Sequence, residues 1–225
     1  MKQLLIMLII TLLIFISLQG CSKSNQGTQP VNGIVIVGEE QYALPILERY
    51  QENVKTKDVF RVKTGMVDEK KVLILDESTA NKLIAKKLIH KRKDVNGNMD
   101  SIPLVQLPEI PKGRSLLFTT EHESDITSIN LNETEIPVTY DRNAWIGNVG
   151  DYEPGLHFIV SKNEVYQEIQ VEETSLQFLY LKKSLGDKKP TMSTDNTVVN
   201  EYLKMKKRVK NFNDLIVVKF VTIDK

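Results

Sequence analysis

The chain has 225 residues, with 30 Lys and Arg against 29 Asp and Glu and a formal charge of +1, which excludes the basic excess that a nucleic-acid binder sets against phosphate. Its 41% hydrophobic and 26% charged residues are those of a globular chain with room for one large core or two small ones. A single cysteine excludes an internal disulfide, so packing must hold the fold.

Met1-Lys2-Gln3 is a short positive segment, and Leu4–Leu18 is a run of 15 residues without a charge. That length suits the hydrophobic region of a signal peptide, whereas a spanning helix needs about 20 apolar residues. Leu18-Gln19-Gly20-Cys21 follows. A leucine, a spacer, a small residue and a cysteine resemble the lipobox of bacterial lipoproteins. The resemblance implies that the Cys21 thiol is alkylated by diacylglycerol and the chain is cut between Gly20 and Cys21. It also implies residence on the extracytoplasmic face of the cell membrane, with the lipid bilayer as a partner reached through acylated Cys21. Two acyl chains at about 0.8 kcal/mol per buried CH2 hold a protein stably. Removing residues 1–20 removes Lys2 and no acid, so the mature charge is (30 − 1) − 29 = 0. With its sulfur spent on lipid, the body keeps no thiol for a nucleophile or a metal.

Residues 21–32 are polar, with Gly27 and Pro30, and read as the lipidated cysteine and a flexible tether. Residues 33–93 read as a small α+β unit. Ile34–Val37 is a strand, Gly38-Glu39-Glu40 turns it, and Gln41–Leu44 returns as a hairpin. Pro45 suits the first position of a helix, and Ile46, Leu47, Tyr50 and Val54 predict that helix over 45–55. Val59–Val62 and Val72–Leu75 are strands, with Gly65 as a break. Asp76 or Ser78 can cap a further helix whose stripe of Ala80, Leu83, Ile84 and Leu88 carries it to about residue 92. Residues 94–114 read as a Pro-rich link.

Residues 115–225 read as a β-rich domain. Leu116/Phe118, Ile136/Val138/Tyr140, Leu156/Phe158/Val160 and Val165/Ile169/Val171 alternate with polar neighbours, as strands of an antiparallel sandwich do. Gly155–Val160 and a hairpin into Val165–Glu173 resemble the last two strands of an immunoglobulin-like sandwich, over about 115–173. Leu176–Leu181 is another strand. Val198, Tyr202, Met205, Val209 and Phe212 mark a helix, and Leu215–Ile223 is a strand with Ile216, Val218, Phe220 and Thr222 on one face. The fold class expected is therefore α+β: a small N-terminal α+β unit, then an antiparallel sandwich-like body with a C-terminal helix and strand.

Four groups of residues carry chemistry. Asp94, Asn96, Asn98 and Asp100 place oxygens at alternate positions, as calcium loops do, but Met99 stands where the sharp turn wants Gly and Val105 where a closing carboxylate belongs. Glu121-His122-Glu123 with Asp125 is an acidic cluster holding one imidazole, and its neighbours in an extended chain point apart. Lys86, Lys87, Lys91, Arg92 and Lys93, then Lys204, Lys206, Lys207, Arg208 and Lys210, form two basic groups able to face an anionic bilayer. Asp151 and Glu153, near Trp145 and Tyr152, form a carboxylate pair of the kind used in sugar chemistry. A nucleophile elbow, a zinc helix motif and a phosphate-binding glycine loop are all missing from the sequence. These features point to a non-catalytic lipoprotein that binds an envelope protein or wall polymer and needs no cofactor. The alternative is an envelope hydrolase working through scattered residues, Asp151, Glu153, His122 and His157.

Overall fold

The computed structural model describes residues 29–223 apart from 68–69, 96–97, 133, 148–155, 189–195 and 210–211. The chain opens with β1 (Gln29–Pro30), β2 (Gly33–Gly38), α1 (Glu40–Tyr50), β3 (Val54–Val67) and β4 (Lys70–Asp76). Next come α2 (Glu77–Ala85), β5 (Ile89–Val95), β6 (Asn98–Pro103), β7 (Ser115–Phe118), β8 (Ser128–Leu131), β9 (Thr134–Arg142) and β10 (Ala144–Ile146). The last elements are β11 (Leu156–Ser161), α3 (Asn163–Glu168), β12 (Glu173–Leu181), β13 (Asp187–Lys188), α4 (Asn196–Lys206), α5 (Phe212–Leu215) and β14 (Ile216–Val221).

Nine strands join in one mixed sheet, in the order β14-β2-β12-β3-β4-β11-β7-β9-β8. The pairs β4–β11 and β7–β9 are parallel and the rest antiparallel. A second sheet, β10-β5-β6, and a two-residue ribbon of β1 with β13 are the other sheets among the described residues. The fold is α+β, as expected. The sheet crosses the division expected between residues 33–93 and 115–225, because β12 lies between β2 and β3 and β11 lies beside β4. The C-terminal strand β14 pairs with β2.

Burial on two faces explains the apolar runs. Val35 and Val37 of β2 enter one core, with α2, Leu104, Leu107 and Ile110. Ile34 and Ile36 enter another beneath α1 and α4, together with Ile216, Val218 and Phe220 of β14. A strand packed on both sides loses the polar alternation of a half-exposed one. The third core, at the far end of the sheet, joins Val72, Ile74 and Ile159 to Leu117, Ile129, Leu131, Ile136, Val138, Tyr166 and Ile169.

Several local expectations are corrected. Residues 41–44 do not return as a strand; they belong to α1, which holds Pro45 in its middle. Both edges of β2 are taken, by β12 and β14, so no edge is left for a hairpin partner. Gly65 does not break β3; it sits within the strand, where a Cβ would lie 2.7 Å from Leu131 Cδ2. The glycine lets β8 pack onto β3. Helix α2 stops at Ala85, not near residue 92. Lys87 turns left-handed at φ +57. Lys87 N donates to Ile84 O at 2.8 Å and Leu88 N to Leu83 O at 2.9 Å, the paired bonds of a Schellman ending.

The link expected over 94–114 is partly sheet, since β5 and β6 form an antiparallel hairpin. Beyond it, Leu104, Leu107 and Ile110 are buried in the first core. Residues 163–168 form a helix and not a strand. Both edges of β11 are already paired, and helical spacing lets Tyr166 and Ile169 reach the third core together. The immunoglobulin-like hairpin is therefore not formed. The tether expected through Asn32 ends sooner: Val31 is fully buried, and Asn32 Oδ1 accepts from Ile223 N at 2.6 Å.

Candidate functional site

Three strands bring the candidate site together. Strands β4 and β11 run parallel with His157 opposite Val72, so both begin at the same edge of the sheet. Strand β7 runs against β11, with Phe118 opposite Phe158, so it ends there. Lys70 at the start of β4, His157 near the start of β11 and Thr119 just beyond β7 are thus neighbours. The chain then turns through a single 3-10 turn, Glu121–Glu123, with Glu123 N bonded to Thr120 O at 3.1 Å. This turn folds Glu123 back over the strand ends.

The Glu123 carboxylate is the hub. Its Oε1 accepts from Lys70 Nζ. Its Oε2 accepts from Thr119 Oγ1 and, at 3.3 Å, from Thr120 Oγ1. His157 Nε2 lies 3.1 Å from the same Oε2. The Glu123 and His157 side chains are 19% and 10% exposed. Burial pushes the Glu123 carboxyl up, but the hydrogen bonds from Lys70 and Thr119, with the charges of His157 and Lys70, hold it below its ordinary range. Burial pushes His157 down; Glu123 raises it, and Lys70 lowers it further. An ionised carboxylate has no proton to give, so a neutral His157 carries its hydrogen on Nε2. Such a carboxylate-oriented imidazole can accept a proton at Nδ1.

The residues singled out in the sequence fare differently. Of the acidic cluster, Glu123 is drawn in, while Glu121, His122 and Asp125 are exposed on the turn. Asp94, Asn98 and Asp100 lie in the β5–β6 hairpin, where Asp94 pairs with Met99, Asn98 with Val95 and Asp100 with Lys93. Asn96, Asp151, Glu153, Gly20 and Cys21 lie outside the described residues. His90 is buried apart from the hub, with Nε2 3.0 Å from Lys87 O and Nδ1 3.2 Å from Ser101 Oγ. Trp145 lies in β10, its buried Nε1 without a hydrogen-bond partner among the described residues. Among the described residues no group of three or more His, Cys, Asp or Glu side chains is placed to hold a metal ion, and no helix is long and apolar enough to cross a membrane.

The two basic groups also separate. Lys86 and Lys87 follow α2, with Lys86 Nζ 2.8 Å from Asp58 Oδ2. Lys91, Arg92 and Lys93 belong to β5, not to a helix. Lys204 and Lys206 lie on α4, and Lys207 and Arg208 in the turn after it. Lys210 is outside the described residues. Sequence reasoning missed Lys70 and Thr119, and it missed the pairing of Glu123 with His157. No spacing signals a contact made only by the pairing of β7 and β11.

Residues 31–223 match the model of an uncharacterised lipoprotein family, Lipoprotein_22. The chain is similar to the 1.5 Å crystal structure of a protein named a putative lipoprotein, from Bacillus anthracis, at 21% identity and a TM-score of 0.60. The match covers 86% of this chain and 99% of that one, and it carries the fold. The periplasmic region of MacB from Actinobacillus actinomycetemcomitans matches at 10% identity over 88% of this chain and 92% of that one, with a TM-score of 0.26 that supports no argument. No curated protein matches the chain.

Proposed function

Because the chain belongs to this uncharacterised lipoprotein family, we propose that it is held on the extracytoplasmic face of the cell membrane by a diacylated Cys21 and serves there as a non-catalytic binding module for an envelope protein or wall polymer. One observation carries the anchored reading. The first paired residue of the fold, Gln29, follows Cys21 by 29 − 21 = 8 positions. A lipobox cysteine joined so closely to a folded body leaves the lipid as its strong hold on the membrane.

The non-catalytic half rests on the hub. Both oxygens of Glu123 already accept, from Lys70 on one side and from Thr119, Thr120 and His157 on the other. That arrangement closes the end of three strands and reads as a structural ion pair. It weighs against the hydrolase reading, for which His122 sits exposed on the turn beside it.

A deletion strain with an envelope phenotype tests both halves. Plasmid-borne His157→Gln and Glu123→Gln variants that fold and fractionate with membranes should restore growth. Cys21→Ala should not, and should stay uncleaved. A stable, membrane-bound His157→Gln protein that fails to complement returns the hydrolase reading.

A further inference from the structure

Helix α4 has two faces. Val198 and Met205, with Val209 just beyond, pack into the core that also holds Val31, Phe212 and Ile216. Glu201 locks the helix to α1. It accepts from Arg49 Nη2 at 2.6 Å, Tyr50 Oη at 2.8 Å and Lys204 Nζ at 2.8 Å. The outer face carries Val199 and Leu203, 41% and 47% exposed and one turn apart. Lys204, Lys206, Lys207 and Arg208, all exposed, follow directly. Cations at a helix C-terminus suit its dipole, but that does not account for two exposed aliphatic side chains beside them. Apolar residues rimmed by basic ones are what a helix lying on an anionic bilayer presents.

A tether at Cys21 would keep the side of the molecule where the chain enters the fold nearest the membrane. Val31 is packed in the same core as α4, so the chain enters the fold on the α4 side of the sheet. Eight steps from Cys21 to Gln29, at up to about 3.6 Å each, keep that entry within about 29 Å of the lipid. The neighbouring helix α1 carries Glu48 and, just past its end, Glu52, both exposed. These acids disfavour an anionic surface, so α4 suits one better than α1 does. We propose that the outer face of α4, centred on Leu203 and rimmed by Lys204, Lys206, Lys207 and Arg208, is a docking surface for the anionic phospholipid headgroups of the membrane that anchors Cys21. This rests on the anchored reading above.

The test uses the lipidated mature protein reconstituted in vesicles. Because lipid occupies the Cys21 sulfur, an Asn200→Cys substitution, at an exposed α4 position beside Val199 and Leu203, or a Val105→Cys substitution supplies the only free thiol. Val105, 85% exposed, lies between Pro103 and the buried Leu107 on the opposite side of the sheet. A thiol-linked fluorophore is read for quenching by headgroup spin-labelled lipid. In vesicles containing phosphatidylglycerol, the label at 200 should be quenched several-fold more than the label at 105. That excess should vanish in pure phosphatidylcholine, in about 1 M salt, where the Debye length falls to about 3 Å, and in the Lys204→Glu/Lys206→Glu/Lys207→Glu/Arg208→Glu variant, which should stay vesicle-bound. Equal quenching at both sites in vesicle-bound protein overturns the docking surface, leaving α4 for a protein partner. Dye on Cys21, with protein free of vesicles, overturns the anchored reading instead and the docking surface with it.

Discussion

His157 and Glu123 give the fold an acid-sensitive joint. The folded His157 is pushed below its ordinary value, chiefly by burial. A depressed imidazole binds its proton more readily when unfolded, so its contribution is present above about pH 6.5 and is lost as pH falls through the folded value. The Glu123 carboxyl is also held low, against burial, by Lys70, Thr119 and His157. Its contribution is present above about pH 4.3 and is lost further down. The two effects share a sign and differ in window. Melting temperature followed from pH 7.5 downward should therefore begin to fall near pH 6.5 in the natural protein, and His157→Gln should remove that first decline while keeping the lower one. A first decline unchanged in the variant would assign it elsewhere. Glu201, held at about 2 despite its burial by bonds from Lys204, Arg49 and Tyr50, adds to the lower window only.

At the scale of elements, the strands were legible because the apolar run Ile34–Val37 is buried on both faces and Ile216, Val218 and Phe220 recur on one buried face. Their partners were not, since pairing depends on residues more than a hundred positions away, as in β2 with β12. Val165, Ile169 and Val171 misled because a short helix and a strand bury such residues at overlapping spacings. The end of α2 was hidden for a different reason: Lys87, not glycine, takes the left-handed position. Lys87→Gly should remove that strain and stabilise the fold by about 1 kcal/mol in urea melts; a destabilised variant would show that the ending is not a Schellman motif. Two glycines separate strain from space. Gly147 and Gly113 both lie at positive φ, +77 and +72. A Cβ at Gly147 would meet Val221 Cγ1 at 2.5 Å, while one at Gly113 meets nothing within 4 Å. Gly113→Ala should therefore cost about 1 kcal/mol, and Gly147→Ala about 1–3 kcal/mol more through overpacking. Equal losses would mean that β14 can move away from the β10 segment.

At the scale of the whole molecule, the described residues form a nine-stranded sheet covered on two faces and a smaller three-stranded one, and seven residues, 22–28, separate Gln29 from Cys21. The α+β class was readable from alternating helix and strand patterns, whereas one continuous sheet was not, because the Pro-rich stretch after residue 100 looks like a boundary. It is extended chain that contributes Leu104, Leu107 and Ile110 to the core. The candidate site was half legible: Glu123 and His157 were both noticed, and only the fold unites them. The proposed anchor turns on Cys21. Mass spectrometry of the N-terminal peptide, from protein isolated with membranes, tests it directly. The expected peptide begins at Cys21 and carries a diacylglyceryl group. A peptide that retains Leu18-Gln19-Gly20, or a free Cys21 thiol, would contradict it.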